Sequence, residues 1–218
     1  MGAFTVTVFR DAEGYYEEKK SKFISNVFRV ESEEEALSRI QEVRKKHYDA
    51  RHHCYAYVIG ELRDKMKCSD DGEPQKTAGV PILSVLNGQE VTNCLIVVTR
   101  YFGGTLLGTG GLVRAYTKAA QDGLAKAGVF EKRPAAKLSI LVSYEDYNRI
   151  QRYLQEGTLK PSDTEFTDKV RIEIPVPLPD LPDFTGKITE FTQNRAIINE
   201  EGRVFFAEID GKIQLFTA

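Results

Sequence analysis

The stretch from residue 92 to residue 127, TNCLIVVTRYFGGTLLGTGGLVRAYTKAAQDGLAKA, constrains the fold more than any other. It opens on an apolar run, Cys94-Leu95-Ile96-Val97-Val98, whose length and β-branched content predict a buried strand. Arg100 and Tyr101 close that strand, and five glycines follow within nine residues: Gly103, Gly104, Gly108, Gly110 and Gly111. From Leu112 the spacing turns helical. Leu112, Ala115, Tyr116, Ala119, Gly123, Leu124 and Ala127 fall on one face, and Arg114, Lys118, Gln121 and Lys126 on the other. Strand, glycine loop and helix together offer backbone N–H groups and a positive helix end to an anion.

The loop departs from the standard phosphate fingerprints. A P-loop needs Lys and then Ser or Thr after its last glycine, whereas Gly108 is followed by Thr109 and Gly110; a dinucleotide fingerprint starting at Gly108 meets Val113 where its third glycine belongs. Two readings stay open. The glycines permit positive φ and close helix–strand packing, or, flanked by Arg100 and Arg114, they receive phosphate.

Upstream, the alternation over Arg51 to Gly60 predicts a strand with His52, Cys54, Ala56 and Val58 on one face and His53, Tyr55, Tyr57 and Ile59 on the other. The two adjacent histidines therefore point apart and cannot share a metal ion. Asp70, Asp71 and Glu73 lie in a turn-rich loop, where three carboxylates within four residues suit a divalent cation or a polarised water, or are solvated or cap a helix. A helix is predicted over Thr77 to Leu86, with Pro81 near its first turn.

These three blocks, ARHHCYAY, SDDGEPQKTAGVPIL and RYFGGTLLGTGGLVRAY, resemble in order the motifs of the IMPACT/YigZ family. The resemblance spans about residues 15 to 130, and the remainder is similar to the smaller second domain of the bacterial branch. It implies an α+β protein of two domains. The first, over residues 1–133, would be an α/β sandwich like the second domain of a small-subunit ribosomal protein. The second, over residues 134–218, would be a ferredoxin-like βαββαβ domain. The resemblance also promotes His52, Asp70, Asp71, Glu73, Thr77 and Gly79 to site residues beside the glycines. At Lys76 the chain departs from an expected glycine, and at His53 from a frequent asparagine.

The second half independently reads as β-α-β-β-α-β: strands near 136–142, 159–166, 170–176 and 196–209, with helices near 145–156 and from Phe184. Lys132-Arg133-Pro134 marks the expected boundary. Near the start, residues 4–9 predict an edge strand, Tyr15 to Arg29 an extended segment, and Ser32-Glu33-Glu34-Glu35 a capping box opening a helix.

Charge excludes a globally basic nucleic-acid binder, since the formal net charge is −2. It is unevenly divided: residues 1–133 carry 20 Lys+Arg against 18 Asp+Glu, a net of +2, and residues 134–218 carry 10 against 14, a net of −4. Any nucleic-acid face is expected in the first part. Three scattered cysteines make no disulfide framework. No apolar run suits a bilayer span, and no signal-peptide order opens the chain, so a cytoplasmic location is expected.

Two functions from different classes follow. The first is a binding protein linked to translation, contacting RNA, the ribosome or a translation-associated protein. Arg51, Arg100 and Arg114 would meet phosphates there, and Tyr55, Tyr57, Tyr101 or Phe102 would stack on bases. His52, Gly103, Gly104, Gly108, Gly110 and Gly111 complete that expected face. The second is a Mg-dependent enzyme acting on a phosphorylated small molecule, with Asp70, Asp71 and Glu73 on the metal. Binding is the favoured reading, with no cofactor and no metal expected; a protein-docking face built from the acidic loop is the third.

Overall fold

The computed structural model describes residues 4–209 and 211–217. Two compact units divide the described chain: Thr5–Phe130, and Glu131 onward together with Phe4. The architecture is α+β, with two sheets and five α-helices among the described residues.

In the first unit a five-stranded sheet runs in the order β2-β3-β6-β4-β5, comprising Ala12–Glu18, Ser21–Arg29, Cys94–Tyr101, His52–Ile59 and Lys65–Ser69. Every pairing in it is antiparallel. The strand β1 (Thr5–Val8), which is not part of this five-stranded sheet, and helix α1 (Glu33–Lys46) also belong to this unit. Helix α1 starts where the capping signature places it: Ser32 Oγ accepts from Glu35 N at 3.1 Å. The Glu35 carboxylate, however, accepts from Glu31 N rather than closing back on Ser32. Arg44, Lys45 and Lys46 in the last turn complement the helix dipole.

Helix α1 covers one face of the sheet, where Ala36, Ile40 and Val43 meet Tyr57, Ile59, Leu95 and Val97. Helices α2 (Gly79–Gly88) and α3 (Gly108–Ala127) cover the other, packing on Phe23, Val27, Cys54, Ala56, Val58, Ile96 and Val98. The strict alternation of β4 is thus realised. So is the apolar face of α3, whose seven expected residues are all buried. This helix approaches the sheet closely at a glycine pair. A Cβ built on Gly14 would lie 2.3 Å from Gly123 N, and one on Gly123 would lie 2.4 Å from Ser25 Oγ.

In the second unit the sheet order is β11-β10-β7-β9-β8, from strands β7 (Val129–Val142), β8 (Asp163–Phe166), β9 (Val170–Pro177), β10 (Ile197–Ile209) and β11 (Lys212–Thr217). Helices α4 (Tyr144–Glu156) and α5 (Leu181–Phe191) give Ile150, Phe184 and Ile188 to a core with Leu138, Ile140, Ile172 and Ile174. Two features differ from expectation. Lys132-Arg133-Pro134 does not interrupt the chain but lies inside β7. Pro134 is registered against Phe205 of β10, and the β9 pairing begins only at Ala135, so the proline lies before the part of β7 flanked by both of those strands. The strand β11 extends the expected order by one element.

Candidate functional site

The registers of β3, β4 and β6 bring the sequence blocks together. Phe23 and His52 are both opposite Arg100, and Lys22 is opposite Tyr101. A cleft of 500 Å³ opens at this end of the sheet, lined by Asp49, Ala50, Arg51, His52, Arg100, Tyr101, Phe102 and Leu106. Phe102 is 57 % and Leu106 82 % exposed. Cations, aromatic rings and an apolar side chain therefore share one opening.

Arg100 is the structural centre of this cleft rather than a free phosphate contact. Its side chain is 8 % exposed, and its Nη1 donates to Glu73 Oε1 at 2.7 Å, a buried ion pair. The same carboxylate oxygen accepts from the Tyr116 hydroxyl at 2.8 Å, and the Cys54 thiol lies 3.3 Å from that hydroxyl. Burial pushes the Tyr116 and Cys54 groups well up, so both stay protonated. The Arg100 guanidinium also lies over the rings of Phe23 and Phe102, at 5.6 and 5.7 Å. Its Nε has no hydrogen-bond partner.

The acidic loop is likewise engaged from within. Asp70 accepts from the backbone N–H groups of Gly79 (2.8 Å), Lys76 (2.8 Å) and Ala78 (3.0 Å), which anchors the start of α2. Desolvation opposes ionisation of Asp70, but those three donors outweigh it and hold its carboxyl below the ordinary range. Asp71 accepts from Arg44 at 2.6 Å and from His53 N at 2.7 Å, while its carbonyl lies 2.8 Å from His52 Nδ1. Thr77 donates to Pro74 O at 2.6 Å. A Cβ on Gly79 would fall 2.7 Å from the Ser69 backbone. Asp70, Asp71, Glu73, Thr77 and Gly79 thus shape and brace the loop. Among the described residues no cluster of three or more His, Cys, Asp or Glu is placed to hold a metal ion.

The glycine block is shorter as a loop than expected, because α3 begins at Gly108, one turn before Leu112. Gly108, Gly110 and Gly111 are its first residues, and its start has no side-chain cap. Gly103 serves close approach: a Cβ there would lie 2.1 Å from the Lys20 carbonyl carbon, and its N–H donates to Ser21 Oγ at 3.0 Å. Gly104, at φ 86°, faces open space. Arg51 and Arg114 are exposed, but Arg114 is not among the residues lining the cleft. Tyr57 is not available to a base, since it is buried beneath α1 with Tyr55 stacked on it at 6.3 Å.

Sequence reasoning missed Lys20, Lys22 and His47. The segment from Tyr15 to Arg29 is a hairpin, and its turn is made by Lys19 (φ 49°) and Lys20 (φ 64°), both left-handed. Neither residue carries the glycine or asparagine signal of such turns. A hint was the charged run Glu17-Glu18-Lys19-Lys20 between Tyr15-Tyr16 and Phe23-Ile24.

Residues 19–124 match the Impact N-terminal domain, and residues 140–195 match a domain of unknown function, DUF1949. The chain is 38% identical over 190 residues to the IMPACT family member YvyE of Bacillus subtilis, covering 87% of each. The chain belongs to the IMPACT family. It is also 35% identical to the IMPACT family member YigZ of Escherichia coli, over 80% of this chain and 87% of that one. Protein IMPACT homolog of Dictyostelium discoideum is 40% identical over 97 residues, covering 42% of this chain and 27% of that one. A crystal structure of a hypothetical protein aligns with a TM-score of 0.58 at 32% identity, over 93% of this chain and all of that one. No helix among the described residues is long and apolar enough to cross a membrane.

Proposed function

We propose that this IMPACT family member is a cytoplasmic RNA-binding protein acting in translation, and that the 500 Å³ cleft of its first unit is the contact face. One observation carries the reading. The cleft combines an exposed arginine, Arg51, with a rigidly held guanidinium, Arg100, and the ring of Phe102, which is the pairing of cation and stacking surface that unpaired RNA requires. In this reading Arg51 meets phosphate, Tyr101 and Phe102 meet bases, and His52 lines the wall. Glu73, Asp70 and Asp71 hold the loop that shapes the cleft. Gly103 fixes the neighbouring hairpin, and Gly104, Gly108 and Gly110, where an added Cβ would meet open space or only the Arg114 side chain, leave room for an RNA backbone. The translation link rests on the family resemblance. So does the comparison of the first unit with a ribosomal-protein second domain and of the second with a ferredoxin-like domain.

The test is binding to single-stranded RNA and to ribosomes across a salt series, with Arg51→Ala beside the wild type and Arg114→Ala, outside the cleft, as the comparison. Losing each phosphate contact flattens the slope of log K against log salt by about 0.7 on single strands. Wild-type protein that binds neither ligand at low salt would overturn the reading.

A further inference from the structure

Behind the cleft, on the far side of Tyr101 and Phe102, lies a shallow groove of 480 Å³ lined by Lys20, Lys22, Ile24, His47, Tyr101 and Phe102. The two recesses share the Tyr101–Phe102 pair as a wall. We propose that single-stranded RNA is the ligand class of this face, seated with one nucleotide on each side of that wall. This rests on the reading above, which already calls for unpaired RNA, and adds to it a second recess and a wedge residue.

Four observations point the same way. First, Lys20 and Lys22 are exposed, and neither forms an ion pair among the described residues. No acidic residue lines the groove, and Glu17, registered opposite Lys22 on β2, forms no ion pair with it. Second, one of these two lysines, Lys20, is held in a costly conformation. Lys19 and Lys20 occupy both left-handed positions of the turn, braced by Gly103 against the Lys20–Ser21 backbone. Strain of this kind persists where the surroundings enforce it, commonly at binding sites. Third, His47 lines the groove, is 9 % exposed, and its Nε2 lacks any hydrogen-bond partner. With the Tyr101 proton given to Asp49, Nδ1 carries the ring proton and Nε2 is an acceptor, so the partner it lacks is an N–H or O–H donor such as a base edge presents. Fourth, the wall is anchored. The Tyr101 hydroxyl lies 3.0 Å from His47 Nδ1 and donates to Asp49 at 2.9 Å, while Phe102 projects beside it with Arg100 beneath.

Each recess falls within the roughly 300–1,000 Å³ range of small-ligand sites. A projecting ring between two cation-bearing recesses suits bases splayed from a single strand. A duplex keeps its bases stacked inside and could offer only its backbone.

Fluorescence anisotropy with labelled decauridylate and with an RNA duplex of equal length tests this. Phe102→Ala and Phe102→Leu, which keeps apolar bulk without a ring, should each weaken decauridylate binding by about 5- to 150-fold, the range for one lost base stack. Lys20→Gly suits the positive φ and so preserves the turn; combined with Lys22→Ala it should flatten the salt slope by about 0.7 per contact. Duplex binding should be weaker and insensitive to Phe102. Equal affinity of wild type and both Phe102 variants for decauridylate would overturn this inference and take Phe102 out of the contact face, leaving RNA binding through Arg51 to stand on its own salt slope; a preference for duplex would overturn this inference and the unpaired-RNA part of the reading alike. No binding of either RNA would overturn both.

Discussion

Replacing Glu73 by glutamine keeps the side-chain shape and removes one charge from a buried pair. The partner, Arg100, is 8 % exposed and has Nη1 committed to Glu73, while its Nε is already without a hydrogen-bond partner. The variant therefore leaves an uncompensated guanidinium in the interior, a change that costs about 3–5 kcal/mol. The amide oxygen introduced by Glu73→Gln still accepts from Tyr116, so that hydrogen bond adds little to the loss. The double variant Glu73→Gln/Arg100→Met removes the stranded charge and should lie closer to wild type than Glu73→Gln alone. Calorimetry suits the measurement, because the chain has no tryptophan to report by fluorescence. At about 4 °C per kcal/mol for a unit of this size, the affected transition should fall by about 12–20 °C in the single variant. A drop corresponding to less than about 1 kcal/mol would mean the pair behaves like an exposed salt bridge. The description of Arg100 as a buried, pre-positioned cation would then be wrong.

Two further substitutions probe the frame of the cleft. Gly103→Ala places a methyl 2.1 Å from the Lys20 backbone, so the hairpin must move. Thermal melts should show a loss of about 1–3 kcal/mol, and unchanged stability would deny the close approach. Asp70 has a depressed carboxyl, so it adds stability above its ordinary value near 3.8, and this is lost as pH falls through the lower folded value. Asp70→Asn should be less stable than wild type at neutral pH and lose less on acidification below that range. Parallel acid limbs would remove Asp70 from the account.

Much of the first unit was legible because its signals are local. The buried face of α3 and the two faces of β4 follow from periods of 3.6 and 2, and the N-cap of α1 from a four-residue pattern. What was not legible depends on distant partners. Nothing near Arg100 in sequence reveals that Glu73 neutralises it, or that Arg44 and His53 N occupy Asp71. Those carboxylates read as candidate ligands because a loop sequence does not show which backbone amides it will wrap. The Lys19–Lys20 turn escaped for a different reason: it violates the residue preference of its own geometry, and Gly103, far along the chain, enforces it. In the second unit, Pro134 read as punctuation because proline breaks internal strands, whereas here it lies in β7 just before the β9 pairing begins.

Photocrosslinking tests the central claim most directly. A short single-stranded RNA carrying 4-thiouridine would be bound to the full chain, irradiated, and mapped after tryptic digestion. Cleavage after Arg100 and Arg114 isolates Tyr101 to Arg114, the peptide that carries the wall between the two recesses. The account predicts crosslinks on Tyr101 or Phe102 in that peptide, competed away by unlabelled single strand. Crosslinks confined to peptides after residue 133, with none between residues 19 and 114, would contradict it.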